Sequence, residues 1–257
     1  MSIDPMIRLR DVKVHFGGVK AVNGVSFDLA RGSLCGVVGP NGSGKTTLIN
    51  AVSGISLATG GTIEVMGQDT TRTPAYKLAR LGVRRTFQAI RLMGELDVIG
   101  NVALGVDSGV GRHDGLLRPG RSRLAERRTR ELAMEALQTV GLAHLARHTP
   151  TDLPYGHQRM IEIARAIASR PEVLLLDEPV AGMSGDERRQ VADLLVTLRA
   201  GGMTQLLVEH DLGLVTRICD HLVALDHGQV IAAGDPASVM NNSSVREAYL
   251  GPQHTSA

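Results

Sequence analysis

Eight residues, GPNGSGKT at Gly39–Thr46, constrain this chain more than any other stretch. They fit the pattern G-x-x-x-x-G-K-[ST], follow an apolar run at Ser33–Val38, and precede a helix-forming segment near Lys45–Ser53. In that setting the pattern predicts a strand, a tight turn and a helix whose backbone N–H groups converge on an anion. Gly39, Gly42 and Gly44 open turn conformations closed to other residues. Pro40, Asn41 and Ser43 complete the loop, and Thr47 follows it into the helix. The helix start adds its dipole to the same charge. Lys45 is placed to reach the β- and γ-phosphates of a nucleotide, and the Thr46 hydroxyl to ligate Mg²⁺.

A second motif gives the first one chemistry. VLLLD, residues 173–177, is a continuous apolar run of the kind buried on both faces, and it ends in two acids, Asp177 and Glu178. In an open α/β sheet the carboxyl end of a strand faces the ligand crevice. Asp177 is therefore expected to hold Mg²⁺, and Glu178 to activate an attacking water as general base.

The remaining pattern is that of an α/β protein. Residues 6–38 alternate apolar and polar in short pieces, which predicts an antiparallel meander feeding a central strand at Ser33–Val38. GGTIEVMG reads as another strand, TQLLVEH (204–210) as a buried one after a helix at about 186–199, and HLVALDHGQVIAAG (221–234) as a hairpin around Asp226-His227-Gly228. Alternating strands and helices imply a largely parallel sheet. From about Gln88 to Thr151 the character changes: residues 105–123 are rich in Gly and Arg and read as an exposed loop, and 124–140 have helical spacing. This middle segment is expected to be a helical insertion.

Composition narrows the function classes. The net charge of +2 does not favour a broad nucleic-acid footprint, and no nucleic-acid partner is expected. Cys35 and Cys219 are isolated and read as reduced, buried thiols. MSIDPMIRLRDV has no signal-like apolar core, and no run reaches the ~18 apolar residues of a spanning helix. A soluble chain is expected, with any membrane role supplied by a partner.

The segment DLPYGHQRMIEIARA, beginning at Asp152, sets Pro, Tyr and Gly directly before a helical pattern, where Ser would be a simpler cap. With it in place, the motif order GPNGSGKTT, TFQ, LPYGHQ, LLLDEP, LVEHD resembles the ATP-binding subunit of ABC transporters across nearly the whole chain. The resemblance implies an α/β P-loop NTPase core with an N-terminal antiparallel β subdomain and an inserted helical subdomain. The expected boundaries are 1–88 and 160–240 for the core, 89–159 for the helical and signature part, and 241–257 for a C-terminal tail.

In that family two ATPase subunits pair head to tail, each ATP lying between one phosphate loop and the partner's signature loop, typically Leu-Ser-Gly-Gly-Gln. Leu153, Pro154, Tyr155, Gly156 and His157 stand at the signature position, followed by Gln158. Pro154 replaces the serine, Tyr155 a glycine and His157 the glutamine, while Gly156 is retained. The resemblance further implies that Gln88 approaches Mg²⁺ and the attacking water, that His210 contacts the γ-phosphate, and that Phe16 stacks on adenine. Ser184 stands where the inter-subunit loop usually has Asp or Asn.

FGGVKAVNGVSFDL, the LPYG variant, the Arg-rich insert near 110–130 and the ending VREAYLG resemble the larger ATPase subunit of high-affinity branched-chain amino acid importers, whose relatives import amides or urea. ATP and Mg²⁺ are then the cofactors. Membrane permease subunits and a second ATPase subunit are the partners, a solute-binding protein is engaged only indirectly, and the chain sits at the cytoplasmic face of the membrane. Two other readings remain open: a soluble ATPase of this fold uncoupled from transport, and a nucleotide-binding subunit with weak hydrolysis.

Overall fold

The computed structural model describes residues 4–86, 89–106 and 119–250. The chain begins with β1 (Ile7–Phe16), β2 (Val19–Leu29) and β3 (Leu34–Val38), then α1 (Lys45–Val52), β4 (Gly60–Val65), β5 (Gln68–Asp69), α2 (Ala75–Arg80) and β6 (Val83–Arg85). Next come α3 (Val98–Ala103), α4 (Pro119–Thr139), α5 (Tyr155–Ile167), β7 (Val173–Asp177), α6 (Gly185–Ala200) and β8 (Thr204–Val208). The last elements are α7 (Leu212–Ile218), β9 (His221–Asp226), β10 (Gln229–Gly234), α8 (Pro236–Asn241) and α9 (Ser243–Leu250). None of the described helices is long and apolar enough to cross a membrane.

The described residues divide into two compact units. The first comprises 4–85, 172–179 and 195–250, and it holds both sheets. One sheet has the order β2-β1-β4-β5 and is antiparallel; the other has the order β10-β9-β3-β8-β7-β6. In the second sheet β9, β3, β8, β7 and β6 pair in parallel, and β10 closes one edge antiparallel to β9. The apolar runs LCGVV, VLLLD and TQLLV are buried at every position, as strands covered on both faces must be. The strands β1 and β2 instead alternate, sending Val12 and Val14 of β1 and Val25, Phe27 and Leu29 of β2 inward. These side chains share one core with Leu48, Ile49 and Val52 of α1 and with Val37, Leu175 and Val208 of the parallel sheet.

The second unit comprises 86, 89–106, 119–171 and 180–194 among the described residues. Its apolar core draws on Val98 and Val102 of α3, Ala133 and Leu137 of α4, and Ile161 and Ala164 of α5. Arg159 and Glu162 are buried together in α5, with Arg159 Nη1 2.9 Å from Glu162 Oε2. Glu162 Oε1 accepts from Arg165 Nη2 at 3.1 Å and from the Arg91 amide at 3.0 Å, so the buried carboxylate is fully partnered.

Several expectations are corrected. The strand expected over 204–210 ends at Val208, since the chain turns at Glu209 and His210. The stretch expected as loop from 105 is helical from Pro119, because proline is tolerated in the first turn of a helix; residues 107–118 lie outside the described set. The cut expected between 159 and 160 falls inside the continuous helix α5, and 160–171 and 180–194 group with the second unit. The C-terminal segment through Leu250 is part of the first unit: α8 and α9 bury Val239 and Val245, and the Asp235 side chain caps α8 by accepting from the Ala237 and Ser238 amides.

Candidate nucleotide site

The phosphate loop joins β3 to α1 in the first unit. Gly39, Gly42 and Gly44 have φ of 153°, 81° and 101°. A Cβ at Gly39 would lie 2.2 Å from the Leu225 carbonyl oxygen, and one at Gly44 2.3 Å from that of Ala21. Both sites exclude side chains by contact with backbone, which cannot move aside as a rotamer would. Gly44 is also the N-cap of α1 and brings no side-chain cap. The first amides of the helix are therefore left for a ligand. A cavity of about 430 Å³ lies over the loop, lined by Asn41, Gly42, Gly44, Lys45, Thr46 and Thr47 together with Val19–Ala21, Glu178 and His227.

Lys45 is buried, and its Nζ donates to the carbonyl oxygens of Gly39 (2.7 Å) and Pro40 (2.9 Å). Burial holds its pKa below the usual lysine value, opposed by the negative charges of Glu178 and Asp177. The ammonium is thus held in the loop by carbonyls that a phosphate would outcompete.

Val37 and Asp177 both pair in register with Val208, so the ends of β3, β8 and β7 stand side by side. This brings the phosphate loop, the two acids and His210 to the carboxyl end of these neighbouring strands. Asp177 is 3% exposed. The Glu178 amide donates to the Val208 carbonyl at 2.9 Å, and Glu178 is held at φ 47°, a left-handed conformation that favours glycine. His210 is exposed, with its Nδ1 3.7 Å from the buried carboxylate of Glu209. The oxygen donors Thr46 and Asp177 suit Mg²⁺, which takes one or two protein oxygens and completes its shell with water and phosphate. Gln88, expected at the same centre, lies outside the described residues. Phe16 ends β1 and is 56% exposed, so it is no part of the core.

Sequence reasoning missed two features of this unit. Arg85, at the end of β6, lies 2.8 Å from Asp177 Oδ2 through its Nη2. The only hint in the sequence is a pair of arginines, Arg84 and Arg85, in an otherwise strand-like run. The second feature is α9, whose residues line a larger cleft of about 1090 Å³ together with Pro40–Ser43 of the phosphate loop.

The signature segment belongs to the second unit. Pro154 is the N-cap of α5 and offers no side-chain cap. The Gln158 amide closes the first helical bond to the Pro154 carbonyl at 3.1 Å, and Gln158 Nε2 donates to the Leu153 carbonyl at 2.8 Å. Pro154 and Tyr155 are exposed, His157 is half-buried, and Gly156 is buried. Ser184 caps α6 through a reciprocal pair: its amide donates to Glu187 Oε2 at 2.8 Å, and the Glu187 amide donates to Ser184 Oγ at 3.4 Å. These bonds from Ser184, and beyond them the Gly156 amide and His157, hold the Glu187 carboxyl below its usual pKa. The Ser-x-x-Glu spacing was present in the sequence as a capping signal.

A family model described as ABC transporter matches residues 22–181. The chain belongs to the ABC transporter family. A second model, branched-chain amino acid ATP-binding cassette transporter, matches residues 229–251 of the cassette, the segment that includes β10, α8 and α9. The cassette is 37% identical over 250 residues to the high-affinity branched-chain amino acid transport ATP-binding protein BraF of Pseudomonas aeruginosa, covering 96% of this chain and 98% of the relative. It is 38% identical, with the same coverage, to LivG of Escherichia coli, which carries the same description. Among solved structures, the ADP conformation of an ATP-binding cassette of an ABC transporter matches with a TM-score of 0.84 and 30% identity, covering 96% of this chain and 98% of that one. A dimeric post-hydrolysis cassette bound to ADP and Pi matches with a TM-score of 0.75 and 25% identity, covering 90% and 99%.

Proposed function

We propose that the chain is the ATP-hydrolysing subunit of a membrane importer for branched-chain amino acids or related amides and urea. The observation that carries this reading is the convergence of phosphate loop, Asp177, Glu178 and His210 at the carboxyl end of adjacent central strands, in a chain that aligns with BraF and LivG over 96% of its length. Loop amides and Lys45 bind the β- and γ-phosphates. Thr46, Asp177 and Gln88 would hold Mg²⁺, which would supply charge neutralisation for the phosphates. Glu178 takes a proton from the water whose oxygen bonds to the γ-phosphorus, the bond to the β-phosphate oxygen breaks, and ADP and phosphate leave. His210 contacts the γ-phosphate, and Phe16 stacks on adenine. The segment Leu153–Gln158 faces the nucleotide of a second ATPase subunit. The pair works at the cytoplasmic face of permease subunits and meets a solute-binding protein only through them.

The test is reconstitution with the permeases and second ATPase subunit in proteoliposomes carrying a solute-binding protein outside. ATP inside should drive leucine accumulation, and Glu178→Gln should abolish it. Hydrolysis without uptake of any branched-chain amino acid, amide or urea would favour a soluble ATPase instead.

A further inference from the structure

Of the buried charged groups that the proposed reaction leaves unused, Arg85 stands nearest its chemistry. Its Nη2 lies 2.8 Å from Asp177 Oδ2, with the two side chains only 9% and 4% exposed. Its Nη1 donates to Asn50 Oδ1 at 2.6 Å and to Ser53 Oγ at 2.9 Å. Asn50 is in the last turn of α1 and Ser53 is its C-cap, so these acceptors belong to the helix that begins at the phosphate loop. One guanidinium therefore ties together β6, the end of β7 and α1.

We infer that Arg85 is a positioning residue for the metal carboxylate: through its contact with Oδ2 it balances the charge of Asp177 while no metal is bound. The inference rests on the reading of Asp177 as the Mg²⁺ acid. An ionised carboxylate this deeply buried is costly without a cation. In the proposed cycle Mg²⁺ arrives and departs with nucleotide, so for part of each turnover it cannot supply that charge. Arg85 supplies it throughout. The planar fork suits the task, since one nitrogen can hold Asp177 while the other is braced by Asn50 and Ser53. A lysine would keep the charge and lose the bracing.

The consequence concerns the metal-free state. Removing the Arg85 charge harms metal-free protein more than the Mg-ATP complex, where the metal compensates the same carboxylate. By linkage, Mg²⁺ then strengthens ATP binding more in the variant than in the native chain.

The test is the affinity for a fluorescent ATP analogue in Mg²⁺ and in EDTA, expressed as the ratio of the two Kd values. The ratio should be about tenfold larger or more in Arg85→Gln, the order expected when one compensating charge is withdrawn from a buried carboxylate. It should stay within about threefold of native in Arg85→Lys, which keeps the charge. In EDTA the unfolding midpoint of Arg85→Gln should fall. The double variant Arg85→Gln/Asp177→Asn, with no charge left unpaired, should recover most of the loss, which keeps the test available if the single variant does not fold. An unchanged or smaller ratio in Arg85→Gln, or a double variant no more stable than Asp177→Asn alone, overturns the inference. If native affinity is indifferent to Mg²⁺, or Asp177→Asn leaves its Mg²⁺ dependence intact, the metal reading itself has failed and the inference falls with it.

Discussion

Replacing Lys45 by Met separates what the lysine does for the fold from what it does for nucleotide. Without ligand, two effects oppose each other. The variant loses donation to the carbonyls of Gly39 and Pro40. It also loses an ammonium whose pKa is lowered chiefly by burial. A lysine with its folded pKa below its unfolded one lowers stability at every pH below the folded value, and the penalty is relieved as pH rises from there toward the unfolded value. Ligand-free stability near neutral pH should therefore stay within ~1 kcal/mol of native, because bonds to a charged group and its desolvation are of similar size. Any advantage of the variant should shrink at alkaline pH. With ligand the outcome differs. At an ATP concentration about 100 times the native Kd, binding stabilises the native chain by ~2.7 kcal/mol. Loss of one charge-assisted contact of ~1.5–3 kcal/mol raises Kd by about one to two decades. The same ATP concentration then stabilises the variant by only ~0.4–1.4 kcal/mol. Urea unfolding with and without Mg-ATP, followed by circular dichroism, reads all four states. Equal ATP stabilisation of both proteins would remove Lys45 from the phosphates. A ligand-free loss of several kcal/mol would make it a structural clip instead.

Glu178→Gln should retain nucleotide binding, keep the fold, and slow single-turnover hydrolysis by at least ~10²-fold with partners present; near-native turnover would take Glu178 out of the role of base. Gly39→Ala places a Cβ 2.2 Å from the Leu225 carbonyl oxygen. Backbone must shift, so equilibrium titration should show ATP affinity lost and thermal unfolding should show destabilisation of more than ~2 kcal/mol; unaltered binding would mean the loop does not cradle phosphate. Pro154→Ser adds a hydroxyl and an N–H at the start of α5 that can donate to a partner's γ-phosphate, each charge-assisted bond worth roughly 1.5–3 kcal/mol. In a Glu178→Gln background it should tighten Mg-ATP-dependent pairing on sedimentation, and an equally tight dimer with Pro154 in place would show that the proline costs nothing.

The parts of the site legible in the sequence are those whose chemistry is local. The phosphate loop needs glycines at fixed offsets, and the acids need only the end of an apolar run. Arg85 was not legible because its partner Asp177 is 92 residues away, and only the pairing of β6 with β7 brings them together. The short helices after Gly234 escaped notice for another reason. The Asp235-Pro236 start is a good capping signal, yet α8 has six residues and α9 eight, too few to show a clear helical period. The Ser184–Glu187 cap was in plain view. Set against the family's usual Asp or Asn, Ser184 reads as a departure at an inter-subunit position, and only the Ser-x-x-Glu spacing points to its cap.

The signature segment shows how the retained and altered residues divide. A Cβ on Gly156 would fall 2.1 Å from Glu187 Oε1, the carboxylate that closes the start of α6. Glycine is thus required there by this chain's own packing, and its retention alone is no proof of contact with a partner's phosphate. The departures fall where packing asks least: Pro154 and Tyr155 are exposed. What keeps the segment suited to an anion is the missing cap. Proline at the N-cap supplies no capping side chain to the first-turn amides of a 13-residue helix. The Gly156 amide has the Glu187 carboxylate beside it, an anion already in the position that the proposed γ-phosphate would approach. Two anions at one helix start repel, so engagement with a second subunit's ATP requires Glu187 to turn away from Gly156. The Ser184 amide and hydroxyl offer the carboxylate somewhere to remain while it does so.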